Sequence, residues 1–263
     1  MAASGVITIT TDFGHKGPFT AVMKGVILTR FPEAVVVDLA HDIPAQWPPE
    51  AGFWVSRSYQ YFPAGSVHLA IVDPGVGTER EILLVEYKQH YFIAPDNGLL
   101  AKMLDGAADA RVFKLDMQCL PRLGIDKPSM TFHGRDIFAP IAAEIAAGRI
   151  GIAEIGIAVA EWTPAWIDEP ERLGRKVTGV IITVDNFGNL ISNIDASLLK
   201  GFAKPVVHIA GHAIAVLGTY GQAKPGDYLA LINSFGVVEV ARAEGSAAEG
   251  LGAERGAPVT VTD

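Results

Sequence analysis

The sequence predicts two structural units: an α/β N-terminal domain with a central, mostly parallel sheet, and a small all-β C-terminal barrel domain. Three observations carry this. Through Trp162, β-branched runs alternate with segments of helical period, the signature of layered α/β structure. The texture then breaks at TPAWIDEPERLGR, residues 163–175, where two prolines, mixed charge and a loss of periodicity mark a connector. From Val177 onward, short apolar runs follow at close spacing, separated by glycine-rich turns such as GTYGQAKPGD, and no long helical pattern intervenes. The boundary is placed near residue 172, giving units 1–172 and 173–263.

Val6 to Thr11 is a β-branched run closed by Asp12-Phe13-Gly14 and reads as a strand. From Phe19 to Phe31, Phe19, Val22, Met23, Val26 and Ile27 recur at helical intervals, and Pro32 ends the helix. Ala34 to Leu39 is expected as a strand and Ala51 to Tyr61 as a helix. Val67 to Val72 is almost wholly apolar and stops at Asp73-Pro74-Gly75, as a strand buried on both faces does. Further strands are expected at Ile82 to Tyr87 and Tyr91 to Ala94, and a helix at Asp136 to Ala147, closed by Gly148. In the second unit, the expected strands include Gly179 to Val184, Ala213 to Leu217, Tyr228 to Ile232, Val237 to Ala241 and Pro258 to Val261.

With 263 residues and 49% hydrophobic content, the chain can bury one large core or two smaller ones. Its 21 Lys and Arg against 29 Asp and Glu give a net charge of −8, which argues against nucleic acid or an anionic membrane as the main partner. Cys119 stands alone, so neither an intrachain disulfide nor a cysteine-based zinc framework is available. The N-terminus lacks a basic segment followed by an apolar run, and no membrane span is visible. A cytoplasmic protein is expected.

Ligands in open α/β sheets collect at the carboxyl ends of the strands. Asp12 and Asp73 both occupy such ends, and either alone is as readily a turn former as a site residue. Asp73 is followed by Pro74, Gly75 and Gly77, which shape a tight loop, and by Arg80. His133 and Gly134 in TFHGRDIFAP stand at a helix entrance. An acid, a guanidinium and an imidazole can together hold and polarise one small oxygen nucleophile, which makes Asp73, Arg80 and His133 a pointed set. In the second unit, Asp185-Asn186-Phe187-Gly188-Asn189 and the run from Asn233-Ser234 to Glu239 and Arg242 each combine polar side chains with an aromatic and a glycine. The plainer account of each is an Asn- and Gly-rich β-turn. Trp47 could stack on a base or simply pack its loop, and Asn97 most simply turns the chain. Dinucleotide, P-loop, zinc-protease and serine-hydrolase motifs are all missing from the sequence.

Six segments, TTDFG, VHLAIVDPGVGTER, FIAPDNGLL, TFHGRDIFAP, DNFGNLISNI and NSFGVVEVA, occur in order along nearly the whole chain. In this series the sequence resembles the S-adenosyl-L-methionine hydroxide adenosyltransferase family, the water-using relatives of fluorinase and chlorinase. The resemblance implies attack of water on ribose C5′ of S-adenosyl-L-methionine, releasing adenosine and L-methionine. It further implies no cofactor, no metal, and a homotrimer with the site at the subunit interface. Residue by residue, it assigns the catalytic triad to Asp73, Arg80 and His133, and the ribose contact to Asp12. Asn189, Ser234 and Glu239 fall at the adenosine site, Asp185 near the amino-acid portion, and Arg242 at a position that offers mainly its backbone. The halogenating relatives lack the triad, so its presence favours water over halide. The alternatives are a halide adenosyltransferase, a non-catalytic adenosine-binding protein, and a metal-dependent hydrolase built from Asp12, His15, Asp73 and His133.

Overall fold

The computed structural model describes residues 2–263. It divides into a first unit ending at Trp166 and a second, Ile167–Asp263, a little ahead of the expected boundary near 172.

The elements of the first unit run β1 (Val6–Thr11), α1 (Phe19–Arg30), β2 (Val35–Ala40), α2 (Pro48–Ser58), β3 (Val67–Ile71), β4 (Ile82–Tyr87), β5 (His90–Pro95), α3 (Ala101–Leu104), β6 (Arg111–Leu115), α4 (Ala139–Ala146), α5 (Ile152–Ile155) and β7 (Gly156–Ala158). Seven strands form one sheet in the order β2-β1-β3-β5-β4-β6-β7. The period of two along the strands divides its side chains between two cores. Ile7, Ile9, Leu69, Ile71 and Ile93 pack on one face against Met23 and Ile27 of α1 and Ile141 and Ile145 of α4. Ala70, Val72, Leu83 and Phe92 pack on the other against Ala51 and Val55 of α2 and Leu104 of α3. Each fully buried Ile or Leu contributes roughly 1.5–3 kcal/mol by leaving water.

The sheet is mixed, which corrects the expectation of a mostly parallel one. β1 pairs in parallel with β2 and β3, and β3 with β5, but β4 runs antiparallel to β5 and β6, and β6 antiparallel to β7. The cause lies in a two-residue turn. Lys88 and Gln89 take φ of 47° and 64° and close a tight β4–β5 hairpin, leaving no room for the crossover that a parallel pair requires. α2 begins at Pro48, three residues before the expected start, because proline suits the first turn of a helix. The expected helix from Asp136 begins with a π-helical turn, Gly134–Phe138, that runs on into α4.

The second unit comprises β8 (Glu171–Leu173), β9 (Lys176–Val184), β10 (Leu190–Asp195), β11 (Val206–Ile209), β12 (His212–Ala215), β13 (Tyr228–Ile232), β14 (Val237–Arg242), α6 (Ala247–Leu251) and β15 (Pro258–Thr262). Its antiparallel sheet follows the order β12-β11-β15-β9-β10-β14-β13, with β8 paired to β9. A bridge from Val216 to Ala230 and the bond from Leu217 N–H to the Ala230 carbonyl draw the two ends together, so the sheet nearly closes. Val177, Ile181, Leu190, Val207, Val240 and Val261 fill its interior. Such closure covers edges that would otherwise present unpaired backbone.

Candidate active site

β1 and β3 pair in parallel with Thr11 opposite Ile71, so the chain leaves both strands at one edge of the sheet. Asp12 lies one residue beyond β1 and Asp73 two beyond β3, which brings both acids to that edge. Asp12 Oδ2 accepts a hydrogen bond from the backbone N–H of Gln46 at 2.8 Å.

The loop after β3 returns on itself and directs Arg80 at Asp73. Arg80 Nε donates to Oδ1 and Oδ2, each at 3.0 Å, and Nη2 donates to Oδ2. The same Nη2 donates to Nδ1 of His133 at 2.9 Å. Side-chain exposure is 5% for Asp73 and 11% for Arg80, low enough to strengthen a charge-assisted pair. The guanidinium also lies over the Phe138 ring, 5.6 Å from its centre. His133 is held from its own segment, where the N–H groups of Arg135 and Asp136 both donate to the Phe132 carbonyl in a wide turn. Asp136 braces that turn by accepting from Ser129 N–H at 2.8 Å.

A guanidinium has no lone pair to offer, so His133 Nδ1 is the acceptor and its ring hydrogen sits on Nε2. Burial, then the charge of Arg80, holds the imidazole below its usual pKa, with Asp73 and Asp136 opposing more weakly. The ring is therefore neutral at pH 7. Asp12, Asp73 and His133 line a cavity of about 180 Å³ whose apolar walls include Phe13, Phe19 and Phe132. The three phenyl rings meet with centroids 5.5–6.0 Å apart. An ionised acid, a fixed cation and a neutral imidazole beside an apolar cavity can orient and polarise a small oxygen nucleophile.

The polar residues singled out in the second unit fall mainly on β9–β10 and β13–β14. Asp185 Oδ1 accepts from the N–H groups of Phe187 and Asn189, each at 2.9 Å, and Oδ2 accepts from Asn189 Nδ2 at 2.9 Å. Gly188 takes φ of +80° there, and a Cβ would strike the side chain of Ser246. Ile191 on β10 and Leu231 on β13 both register with Glu239 on β14. Glu239 is 3% exposed, yet both its oxygens are satisfied, by Tyr220 Oη at 2.6 Å and Asn233 Nδ2 at 3.1 Å. Burial, the bond to Glu239 and the charge of Asp185 push the Tyr220 phenol up. Ser234 is exposed on the β13–β14 turn. Arg242 sends Nε to the Gly226 carbonyl at 3.2 Å and lies over the Tyr228 ring.

Other residues weighed in the sequence have local roles. Asn97 donates through Nδ2 to the Val72 carbonyl at 2.8 Å and accepts from Leu99 N–H, tying its turn to the end of β3. Trp47 precedes α2 and meets Trp166 edge to face. His15 lies 3.7 Å from Asp42. Among the described residues, no three His, Cys, Asp or Glu side chains are grouped to hold a metal ion. Sequence reasoning passed over Tyr220, which stands inside a glycine-rich turn and carries no local signal. It also left Phe13 and Phe132 unassigned, although each adjoins a candidate residue.

Residues 7–156 match the model of the SAM hydroxide adenosyltransferase N-terminal domain, and residues 179–260 that of the C-terminal domain. The (R)-S-adenosyl-L-methionine hydrolase of Thermus thermophilus is 38% identical, over 95% of this chain and 96% of its own. The Salinispora tropica protein of the same description is 37% identical, over 100% and 99%. A fluorinase from Actinoplanes is more distant, at 25% identity. Among solved structures, an uncharacterized conserved protein from Thermotoga maritima superposes with a TM-score of 0.88 at 28% identity, covering 98% of this chain and 100% of that one. Among the described residues, no helix is long and apolar enough to cross a membrane.

Proposed function

This chain belongs to the SAM hydroxide adenosyltransferase family, and from that premise we propose that it hydrolyses S-adenosyl-L-methionine to adenosine and L-methionine. The observation that carries the reading is the hydrogen-bonded series Asp73, Arg80 and His133 at a cavity shared with Asp12.

Water oxygen attacks ribose C5′ in line with the sulfonium, and the C5′–S bond breaks with its electron pair passing to the methionine sulfur. The leaving group departs as a neutral thioether and needs no proton, so the burden falls on the nucleophile. Its proton must go to an acceptor. Asp73 and His133 Nδ1 both present lone pairs to Arg80. A water that takes the place of either contact meets an unprotonated acceptor, while the guanidinium stays close enough to stabilise hydroxide character as it develops. The apolar walls keep competing water away from the reacting carbon.

Asp12 is assigned to the ribose hydroxyls, Asn189, Ser234 and Glu239 to the adenosine, Asp185 to the amino-acid portion, and Arg242 to a backbone contact. S-adenosyl-L-methionine is the substrate, and the reaction as written needs neither cofactor nor metal. The proposal includes a cytoplasmic homotrimer in which the site draws on two subunits.

The test is incubation with S-adenosyl-L-methionine in heavy-oxygen water. One heavy atom is expected in the adenosine 5′-hydroxyl, and recovery of intact substrate after hours overturns the reading. His133→Ala is expected to lower kcat by about 10²–10⁴-fold while adenosine still binds.

A further inference from the structure

Asp12 is fixed by more than its own strand. Thr11, the last residue of β1, is fully buried, and its Oγ1 lies 2.8 Å from Nδ1 of His41. His41 Nε2 lies 2.7 Å from Oδ1 of Asp38 on β2, and the other Asp38 oxygen accepts from Lys24 Nζ of α1 at 2.5 Å.

Hydrogen-bond chemistry assigns the proton at the carboxylate end of this series. Burial opposes ionisation of Asp38, but the bonds from His41 and Lys24 outweigh it and hold its carboxyl below the usual range. An ionised carboxylate can only accept, so Nε2 of His41 carries a hydrogen. At the other end, Thr11 Oγ1 accepts from the Phe13 N–H at 3.3 Å and shares a hydrogen with His41 Nδ1 across 2.8 Å. The backbone repeats the tie, because Gly14 N–H donates to the His41 carbonyl at 2.9 Å.

Carboxylate, imidazole and hydroxyl in series are also the parts of a nucleophilic triad. Here the hydroxyl is fully buried and already bonded to His41 and to the Phe13 N–H, which leaves it no access to a substrate. The series works instead as a clamp. It starts on α1 and the edge strand β2 and ends on the Thr11-Asp12-Phe13 turn, where Asp12 and Phe13 both line the cavity.

We propose that Thr11 and His41 are positioning residues, and that the Lys24–Asp38–His41–Thr11 relay holds the Asp12 carboxylate where it meets the ribose hydroxyls of the substrate. This rests on the assignment of Asp12 made under the hydrolase reading. A ribose contact persists from ground state to transition state, so its loss raises KM and leaves kcat.

Thr11→Val keeps the β-branched shape and removes the hydroxyl, whereas Thr11→Ser keeps the hydroxyl. Thr11→Val is expected to raise the KM for S-adenosyl-L-methionine and the Kd for adenosine about tenfold, with kcat within about twofold. Thr11→Ser is expected to stay within about twofold of wild type in all three. Asp38→Asn, at the relay's half-exposed end, leaves the core alone and is expected to raise the adenosine Kd several-fold. Wild-type adenosine affinity in Thr11→Val or in Asp38→Asn overturns the relay, as does equal loss in Thr11→Ser and Thr11→Val. A wild-type protein that releases no adenosine overturns the hydrolase reading alone, since adenosine titration still judges the relay. A wild-type protein that does not bind adenosine overturns both.

Discussion

Arg80 donates to Asp73 through Nε and Nη2 and to His133 through Nη2, so one planar fork sets the position of two groups. A lysine ammonium is a point charge without that fork. Arg80→Lys is therefore expected to keep the net charge and lower kcat by about 10²-fold, read as the steady-state rate of adenosine release. A kcat within about threefold of wild type would show that charge alone suffices. Single residues of this kind were partly legible in the sequence. Asp73 and Arg80 stand seven positions apart in one glycine-bearing loop, so their meeting could be anticipated. His133 comes from a segment more than fifty residues away, and its junction with Arg80 depends on the packing of the π-helical turn beside β3.

At the scale of elements, the β3–β4 loop and the buried face of the parallel strands each carry a prediction. Gly77 takes φ of +78°, and a Cβ there would run into the carbonyl oxygen of Met130. Gly77→Ala must therefore displace the loop that carries Arg80 from the segment that carries His133. A loss of about 1–3 kcal/mol in urea unfolding and a fall in kcat are expected together, and an unchanged kcat would separate the loop from the chemistry. On the strands, Thr8 Oγ1 lies 2.9 Å from His68 Nδ1, and His68 Nε2 lies 3.1 Å from His90 Nδ1. Burial, then the neighbouring His90, pushes the His68 imidazole down to about 3. The unfolded chain takes up this proton as pH falls through about 6.5 and the folded chain does not until about 3, so stability falls with pH across that window. Between pH 7 and 4.5 the loss from His68 is at most about 2.5 kcal/mol. The urea midpoint of the wild type is expected to drop more steeply over this range than that of His68→Gln, and parallel slopes would refute the assignment.

For the whole molecule, a net charge of −8 confronts a substrate whose sulfonium and ammonium outweigh its carboxylate. Electrostatic steering raises the encounter rate and is screened by salt, while the buried Asp73–Arg80 pair is screened far less. The ratio kcat/KM is expected to fall roughly twofold or more between low salt and about 0.3 M, with kcat nearly unchanged. A kcat that falls in parallel would place the salt effect on the chemical step.

Periodicity and punctuation by themselves determined that an α/β unit precedes a β-rich one, and that Asp12 and Asp73 end their strands. These are local properties, set by side-chain alternation, β-branching and the residues that stop a strand. Tertiary structure alone decided that the sheet is mixed, because the Lys88-Gln89 turn has no glycine or asparagine to announce its left-handed backbone. It alone joined Tyr220 to Glu239 and Lys24 to Thr11 through His41, contacts that form only when helices and neighbouring strands pack. Spacing along a chain records what a residue can do, whereas the partner of a buried polar group is fixed by whichever distant segment seals it from water.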